Sequence, residues 1–201
     1  KEKNEITDDT VIARYRGDDI IAKKEQVDYI DVSPQQIIAV TTACIPFLDH
    51  DDATRALMGA NMQRQALPLL STEAPFVATG IEHVAAKDSG AVVVAKADGV
   101  VDYVDGRKIV VKNAKDKDVY QLLNYERSNI ATCYHQKPIV RKGDVVKMGQ
   151  VIADGPSTNK GELALGKNMV VAFMTFQGYN YEDAVILNER IVKDDAFTSL
   201  K

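Results

Sequence analysis

Glu182 and Asp183 stand side by side in the string Gly178-Tyr179-Asn180-Tyr181-Glu182-Asp183-Ala184, just ahead of a stretch with apolar residues at helical spacing. Adjacent carboxylates can do two kinds of work. At a helix start they favour the positive end of the backbone dipole, with Asn180 as the cap and Asp183 three residues on. Spacing alone favours that reading. The other is magnesium chemistry. Mg²⁺ is commonly held by one or two carboxylates plus substrate phosphates, with waters completing the octahedron. Two-metal phosphoryl transfer uses such acids to place the metal that follows a triphosphate.

A second constellation is Asp51-Asp52-Ala53-Thr54-Arg55-Ala56-Leu57-Met58-Gly59-Ala60-Asn61-Met62-Gln63-Arg64-Gln65. Its plain reading is an amphipathic helix with an acidic first turn and Leu57, Ala60 and Met62 in the core. Arg55 and Arg64 are nine positions apart, so an unbroken helix puts them on opposite faces. They form one basic patch only if the helix breaks, with Gly59 as the place for a break. Asn61, Arg64 and Gln65 are three and four apart and share a face. This pattern predicts two contact sites. A guanidinium is the natural clamp for a triphosphate, because its fork matches phosphate oxygens. His50, His83 and His135 have no ligand spacing, and His50 reads as a solvated residue at a helix start.

These groups must be held by a scaffold. In residues 1–32, Thr10-Val11-Ile12-Ala13 and Ile20-Ile21-Ala22 flank Gly17-Asp18-Asp19, a strand, turn, strand signature. Ser33-Pro34-Gln35-Gln36 predicts a helix start, with Ser33 as cap, Pro34 at the first helical position and Gln36 closing a capping box. That helix is expected to run through Ile37, Ile38, Val40 and Thr41 and to stop before Pro46. A second helix begins after the acidic start Asp49–Asp52 and ends before Pro68. From Pro75 to Asp154 the pattern turns to β. Residues 91–95, 100–104 and 108–111 are short β-branched runs, and Asp98-Gly99 and Asp105-Gly106 are turn signals. Residues 143–152 read as a further hairpin. A last helix is expected from Asn180, carrying Ala184, Val185, Ile191 and Val192 on one stripe. The fold class is α+β, mainly β: a barrel- or sandwich-like motif at about 75–175 with a few short helices.

Composition narrows the function classes. The chain has 201 residues, enough for one large domain or two small ones with a real core. A formal net charge of −4 argues against a protein that coats nucleic acid nonspecifically, while leaving room for a few placed arginines. No run approaches the ~20 apolar residues of a membrane helix, and Lys1-Glu2-Lys3-Asn4-Glu5 is too charged to open a secretion signal. Two widely separated cysteines, Cys44 and Cys133, fit free thiols in a reducing cytoplasm. The chain starts without Met and stops at Leu200-Lys201 just after a helical pattern, as expected for an excised piece of something larger.

One string admits a rival function. Lys142-Gly143-Asp144-Val145-Val146-Lys147-Met148-Gly149-Gln150-Val151-Ile152-Ala153 is similar to the half-barrel of biotinyl and lipoyl carrier domains. Carriers present a lysine at a hairpin tip in a Met-Lys-Met or Asp-Lys-Ala setting. Lys87 and Lys96 come nearest, and neither matches. The alternative function is therefore a biotinyl- or lipoyl-like barrel without a carrier lysine, acting as a structural or interaction module.

The two chemical constellations resemble those of the β-subunit family of bacterial multisubunit RNA polymerases. The likeness extends to Val27-Asp28-Tyr29-Ile30-Asp31-Val32-Ser33-Pro34, Ile45-Pro46-Phe47-Leu48, Ala153-Asp154-Gly155-Pro156-Ser157 and Gly161-Glu162-Leu163-Ala164-Leu165-Gly166, and so covers essentially the whole chain. The resemblance implies that residues 1–35 finish a peripheral β-rich (external) domain. Residues 36–201 then begin the hybrid-binding domain, which cradles the RNA–DNA duplex. It implies Arg55 near the incoming triphosphate, with Asn61, Arg64 and Gln65 near the growing RNA end and template. Glu182 and Asp183 fall near the second magnesium, as indirect ligands. Thr54 departs from the Asn or Ser expected before this arginine. The implied activity is that of a DNA-directed RNA polymerase, a nucleotidyltransferase of transcription in the bacterial cytoplasm. Its cofactor is Mg²⁺. Its partners are the β′ and α subunits, the rest of β, DNA template, RNA and nucleoside triphosphates, with no membrane. The aspartates of the first magnesium come from β′, so the isolated piece is expected to be inactive.

Overall fold

In the computed structural model the described residues are 6–31, 33–113 and 116–200. The chain divides into two compact units, Lys1–Ala39 and Val40–Lys201.

The first unit is built on a β-hairpin. Strands β1 (Thr10–Tyr15) and β2 (Asp18–Lys23) pair antiparallel, with Tyr15 opposite Asp18. Arg16 and Gly17 form the two-residue tip with φ of 52° and 100°, the pair of left-handed residues a tight primed turn requires. The turn sits one residue earlier than the sequence pattern placed it, so Asp18 and Asp19 belong to the strand. The helix predicted from Ser33 through Thr41 does not form in one piece. A short 3₁₀ turn covers Pro34–Ile37, and the next helical turn belongs to the second unit. Ile37, Ile38, Val40 and Thr41 are β-branched and stiff in a helix. Ile37 is 91% exposed, so no packed face repays helix formation.

The second unit opens with a single turn, α1 (Val40–Ala43), a 3₁₀ turn at Leu48–His50, and α2 (Ala53–Gln63). Asp52 caps α2 by accepting the Thr54 N–H at 3.0 Å. Helix α3 (Glu82–Asp88) follows, in a segment that the sequence pattern had assigned to strand. Its Ala85-Ala86-Lys87 core is made of strong helix formers.

The β body then begins with β3 (Val93–Val94), β4 (Gly99–Val104), β5 (Lys108–Lys112) and β6 (Lys117–Gln121). A short pair comes next, β7 (Glu126–Arg127) with β8 (Cys133–Tyr134), while β9 (Lys137–Pro138) joins the strands further on. The series ends with β10 (Val145–Val146), β11 (Val151–Asp154), β12 (Thr158–Asn159) and β13 (Glu162–Leu163). One sheet has the order β10-β4-β5-β6 and another β3-β11-β9, every pair antiparallel. The protein is thus α+β and mainly β, as the sequence indicated.

Two hairpin assignments need correction. Residues 143–152 are not a hairpin: β10 and β11 lie in different sheets. The segment between them bonds to both. Val101 N–H donates to the Asp144 carbonyl at 2.9 Å, and Ala95 N–H to the Gln150 carbonyl at 2.8 Å. Nor is Asp98-Gly99 a hairpin tip, because β3 and β4 do not pair. Asp98 instead accepts the Met148 N–H. Gly99 is needed for close approach, since a Cβ there would lie 2.7 Å from the Lys112 carbonyl oxygen. Asp105-Gly106 is a turn, as expected, with the Asp105 carboxylate accepting the N–H groups of Arg107 and Lys108 at 2.7 Å each.

Both sheets feed one buried cluster. Val101, Ile109, Val111, Tyr120 and Val146 come from the first, and Ile152 and Ala153 from the second. Ile109 and Ile152 are 0% exposed. The buried Tyr120 hydroxyl is satisfied by the Lys96 N–H at 2.9 Å. This cluster is the buried core of the second unit.

Candidate functional site

Helix α2 runs unbroken through Gly59, so the geometry inferred from sequence applies: Arg55 and Arg64 lie on opposite flanks. The covered face is built of small residues, Ala56, Gly59 and Ala60, together with Gln63. Only Ala60 of the three expected core residues is buried. Leu57 and Met62 are each 63% exposed, which corrects the amphipathic reading. The physical reason is that a narrow face of small side chains lets the backbone approach closely, and large residues are left on the outside. Ile45 packs there, with its Cδ1 3.9 Å from where a Gly59 Cβ would stand.

Arg55 is exposed and its guanidinium lies along the helix toward the Met58 sulfur, 3.7 Å away. Arg64 ends the helix, and its guanidinium donates to the Asn61 side-chain oxygen. The structure therefore brings Asn61 and Arg64 together, as their spacing predicted. Gln65 follows in the turn beyond the helix, with its N–H bonded to the Met62 carbonyl at 3.0 Å. Among the described residues, neither arginine is paired with a carboxylate. Thr54, the departure from the family pattern, donates its N–H to Asp52 and leaves the helix start intact.

Glu182 and Asp183 lie on irregular backbone. The helix expected from Asn180 does not form, and α4 is a single turn at Arg190–Lys193. Asn180 is engaged backward instead. Its Nδ2 donates to the Met174 carbonyl at 2.6 Å, and its Oδ1 accepts the Phe176 N–H at 3.0 Å. A side chain spent on its own upstream backbone cannot cap a following helix. Glu182 has φ 54°, which ends any helical run. Val185 and Val192 are 77% and 78% exposed and only Ile191 is partly covered, so the predicted apolar stripe does not form a packed face. The helix-capping role of the two acids is thereby removed. Both are exposed, and no ion pair joins them to Arg55 or to any other described cation.

No group of three or more metal-ligating side chains occurs among the described residues. His50 sits in its 3₁₀ turn edge-on to Phe47, with ring centroids 5.9 Å apart. His135 stacks on Tyr125 at 4.1 Å, and burial followed by the nearby Lys137 charge lowers its pKa. The carrier reading loses its remaining candidates: Lys87 lies on α3, and Lys96 lies between two strands that do not pair.

Sequence reasoning passed over one acid. Glu82 is 4% exposed at the start of α3, where it accepts the Thr79 and Gly80 N–H groups at 2.9 and 2.8 Å. Burial raises its pKa, but the hydrogen bonds from Thr79, from Gly80 and from its own backbone outweigh this and hold the carboxyl below its ordinary range. The signal was present as Thr79-Gly80-Ile81-Glu82, a capping-box spacing.

Comparison with known proteins adds the context. A family profile described as RNA polymerase Rpb2, domain 6, matches residues 94–201, and one described as RNA polymerase beta subunit external 1 domain matches residues 1–33. The chain is 55% identical over 208 residues to a DNA-directed RNA polymerase subunit beta of Macrococcus caseolyticus, an alignment covering 99% of this chain and 18% of that protein. It is 54% identical, with the same coverage, to the proteins of that name from Staphylococcus haemolyticus and Staphylococcus aureus strain MRSA252. No helix among the described residues is long and apolar enough to cross a membrane.

Proposed function

We propose a function from one established premise: the chain belongs to the RNA polymerase β-subunit family, spanning 18% of the length of the relatives named above. Its role on this reading is to line the RNA–DNA hybrid channel and the nucleotide side of the active site during transcription in the bacterial cytoplasm. It works there with the rest of β and the β′ and α subunits, on DNA template, RNA and nucleoside triphosphates. The observation that carries the reading is a pair of unpaired, exposed guanidiniums on opposite flanks of α2, one of them bonded to Asn61.

Each residue then has a task its chemistry suits. Arg55 offers guanidinium N–H donors to triphosphate oxygens, and no carboxylate among the described residues is paired with it. On the other flank Arg64 and Asn61 form a donor-rich patch for the phosphate backbone and base edges of the RNA end and template, extended by Gln65. Magnesium, when bound, supplies the positive charge that neutralises a departing pyrophosphate. Glu182 and Asp183, both exposed and without a third ligand beside them among the described residues, would take a partial, indirect share in holding it, with the remaining ligands from nucleotide and β′. The described residues hold no cluster of three metal-ligating side chains, and the isolated chain is inactive on this reading.

The test is Arg55→Ala and Arg55→Lys in a polymerase whose β subunit contains this sequence. A lost charge-assisted contact costs about 1.5–3 kcal/mol, so kcat/KM for nucleotide should fall by roughly tenfold or more. Lysine should rescue partly, since it lacks the fork. Unchanged nucleotide kinetics with lowered stability would make Arg55 a packing residue.

A further inference from the structure

The α1–α2 segment is weakly tied to the β body. Among the described residues, a single hydrogen bond joins residues 40–66 to the rest of the second unit: the Thr79 hydroxyl donates to the Ala43 carbonyl at 2.8 Å. Ala43 is the last residue of α1, so its carbonyl is one of the acceptors a helix end leaves open. A cavity of about 250 Å³ lies beside that bond, lined by Cys44 and Gln63 at the ends of the two helices and by Leu163, Leu165 and Lys167 on the body side.

The Thr79 hydroxyl is itself held. Its oxygen lies 3.2 Å from Glu82 Oε1, the same oxygen that accepts the Thr79 N–H at 2.9 Å, while Glu82 Oε2 accepts the Gly80 N–H at 2.8 Å. One hydroxyl proton thus faces two acceptors, with the shorter distance toward Ala43. The buried carboxylate fixes residues 79 and 80 and, through them, the donor. From Ala43 the path to the helix is short. Ile45, two residues on, packs against Gly59 in the middle of α2, four residues from Arg55 and two from Asn61.

We propose that Thr79 and Glu82 are positioning residues for the nucleotide-binding function: the buried carboxylate aims the Thr79 hydroxyl at the end of α1, and this tie sets the position from which α2 presents Arg55. The inference rests on the reading of Arg55 given above. A purely local role, in which the two residues only cap α3, predicts different behaviour, and the two can be separated.

The experiment uses the assembled polymerase with Thr79→Val, Thr79→Ser and Glu82→Gln, measuring KM and kcat for nucleotide addition, together with amide hydrogen exchange of α2. Thr79→Val keeps the shape and removes the hydroxyl. It should raise nucleotide KM about two- to tenfold, the range that one lost hydrogen bond corresponds to, with kcat changed less, and should speed exchange across Ala53–Gln63. Thr79→Ser should match the parent enzyme. Glu82→Gln should follow Thr79→Val, because its amide turns a donor toward an N–H group. In an Arg55→Ala background the effect of Thr79→Val on KM should vanish. Thr158→Val, which removes a buried hydroxyl from the turn with Gly155, should lower stability and leave KM unchanged.

Unchanged α2 exchange in Thr79→Val overturns the proposal whatever Arg55 does. So does a KM effect that persists in the Arg55→Ala background, or one that Thr158→Val reproduces. If Arg55→Ala alone leaves nucleotide KM unchanged while α2 exchange responds to Thr79→Val, the tie stands and the reading of Arg55 fails.

Discussion

The segment around Glu182 and Asp183 separates a structural role from a chemical one, because the residue that holds it is not the pair of acids. Asn180 makes two hydrogen bonds to its own upstream backbone, at 2.6 and 3.0 Å. Each is worth about 0.5–1.5 kcal/mol net. At an exposed site the lower end applies, so Asn180→Ala should destabilise the segment by roughly 1 kcal/mol. Glu182 and Asp183 have no such partners among the described residues, and Glu182 already sits at a left-handed φ of 54°, a conformation that costs a non-glycine residue about 1 kcal/mol or more. Glu182→Gln with Asp183→Asn should therefore change stability by less than about 0.5 kcal/mol, the range of neutral surface substitutions. Two assays read the two effects. Amide exchange at Phe176, whose N–H bonds to Asn180, reports the segment itself, about fivefold faster in Asn180→Ala for 1 kcal/mol. A magnesium titration of nucleotide addition by assembled polymerase reports the acids. In the double variant it should shift to higher magnesium and higher nucleotide, because an amide replaces a carboxylate poorly toward a hard cation. The reasoning is refuted if the double variant accelerates Phe176 exchange as Asn180→Ala does, or if its magnesium curve superimposes on that of the parent enzyme.

Three further outcomes are expected. Gly59→Ala should stabilise the chain by about 0.5–1 kcal/mol in a denaturant titration, since a helix-interior glycine is replaced and the new Cβ meets Ile45 at an ordinary 3.9 Å. A loss of stability would mean that α2 needs a closer approach than it shows. Ile109→Ala should cost about 2–5 kcal/mol, because the side chain is fully buried where the two sheets meet. A cost below about 1 kcal/mol would place the core elsewhere. Glu82 should also make folding pH-dependent. Its folded pKa lies below its ordinary 4.5, so its contribution is present above pH 4.5 and is lost as pH falls through the lower folded value. Urea midpoints measured across that window should fall less steeply for Glu82→Gln than for the parent chain, and parallel curves would show that the carboxylate gains nothing from its buried N–H donors.

How much was legible in the sequence depended on whether the controlling contact was local. The β1–β2 hairpin is fixed by two residues at its tip. The start of α2 is fixed by Asp52, two positions from the N–H it caps, and the meeting of Asn61 with Arg64 follows from helical spacing alone. Opposite placement of Arg55 and Arg64 needed nothing beyond a helix that stays unbroken at Gly59. Residues 143–152 failed as a hairpin because β10 and β11 pair with distant strands rather than with each other, Val145 with Val100 and Val151 with Val94, which alternation along the chain cannot reveal. Leu57 and Met62 were misplaced for a related reason: which face of α2 is covered depends on Ile45 and on a narrow seat of small residues. The helix from Asn180 failed because its side chain found Met174 and Phe176 first. Sequence thus determined the chemistry available, two guanidiniums and two adjacent carboxylates. Tertiary structure alone decided that the carboxylates stand free of any helix and that the Thr79 hydroxyl meets the end of α1, since both depend on where separate stretches of chain meet.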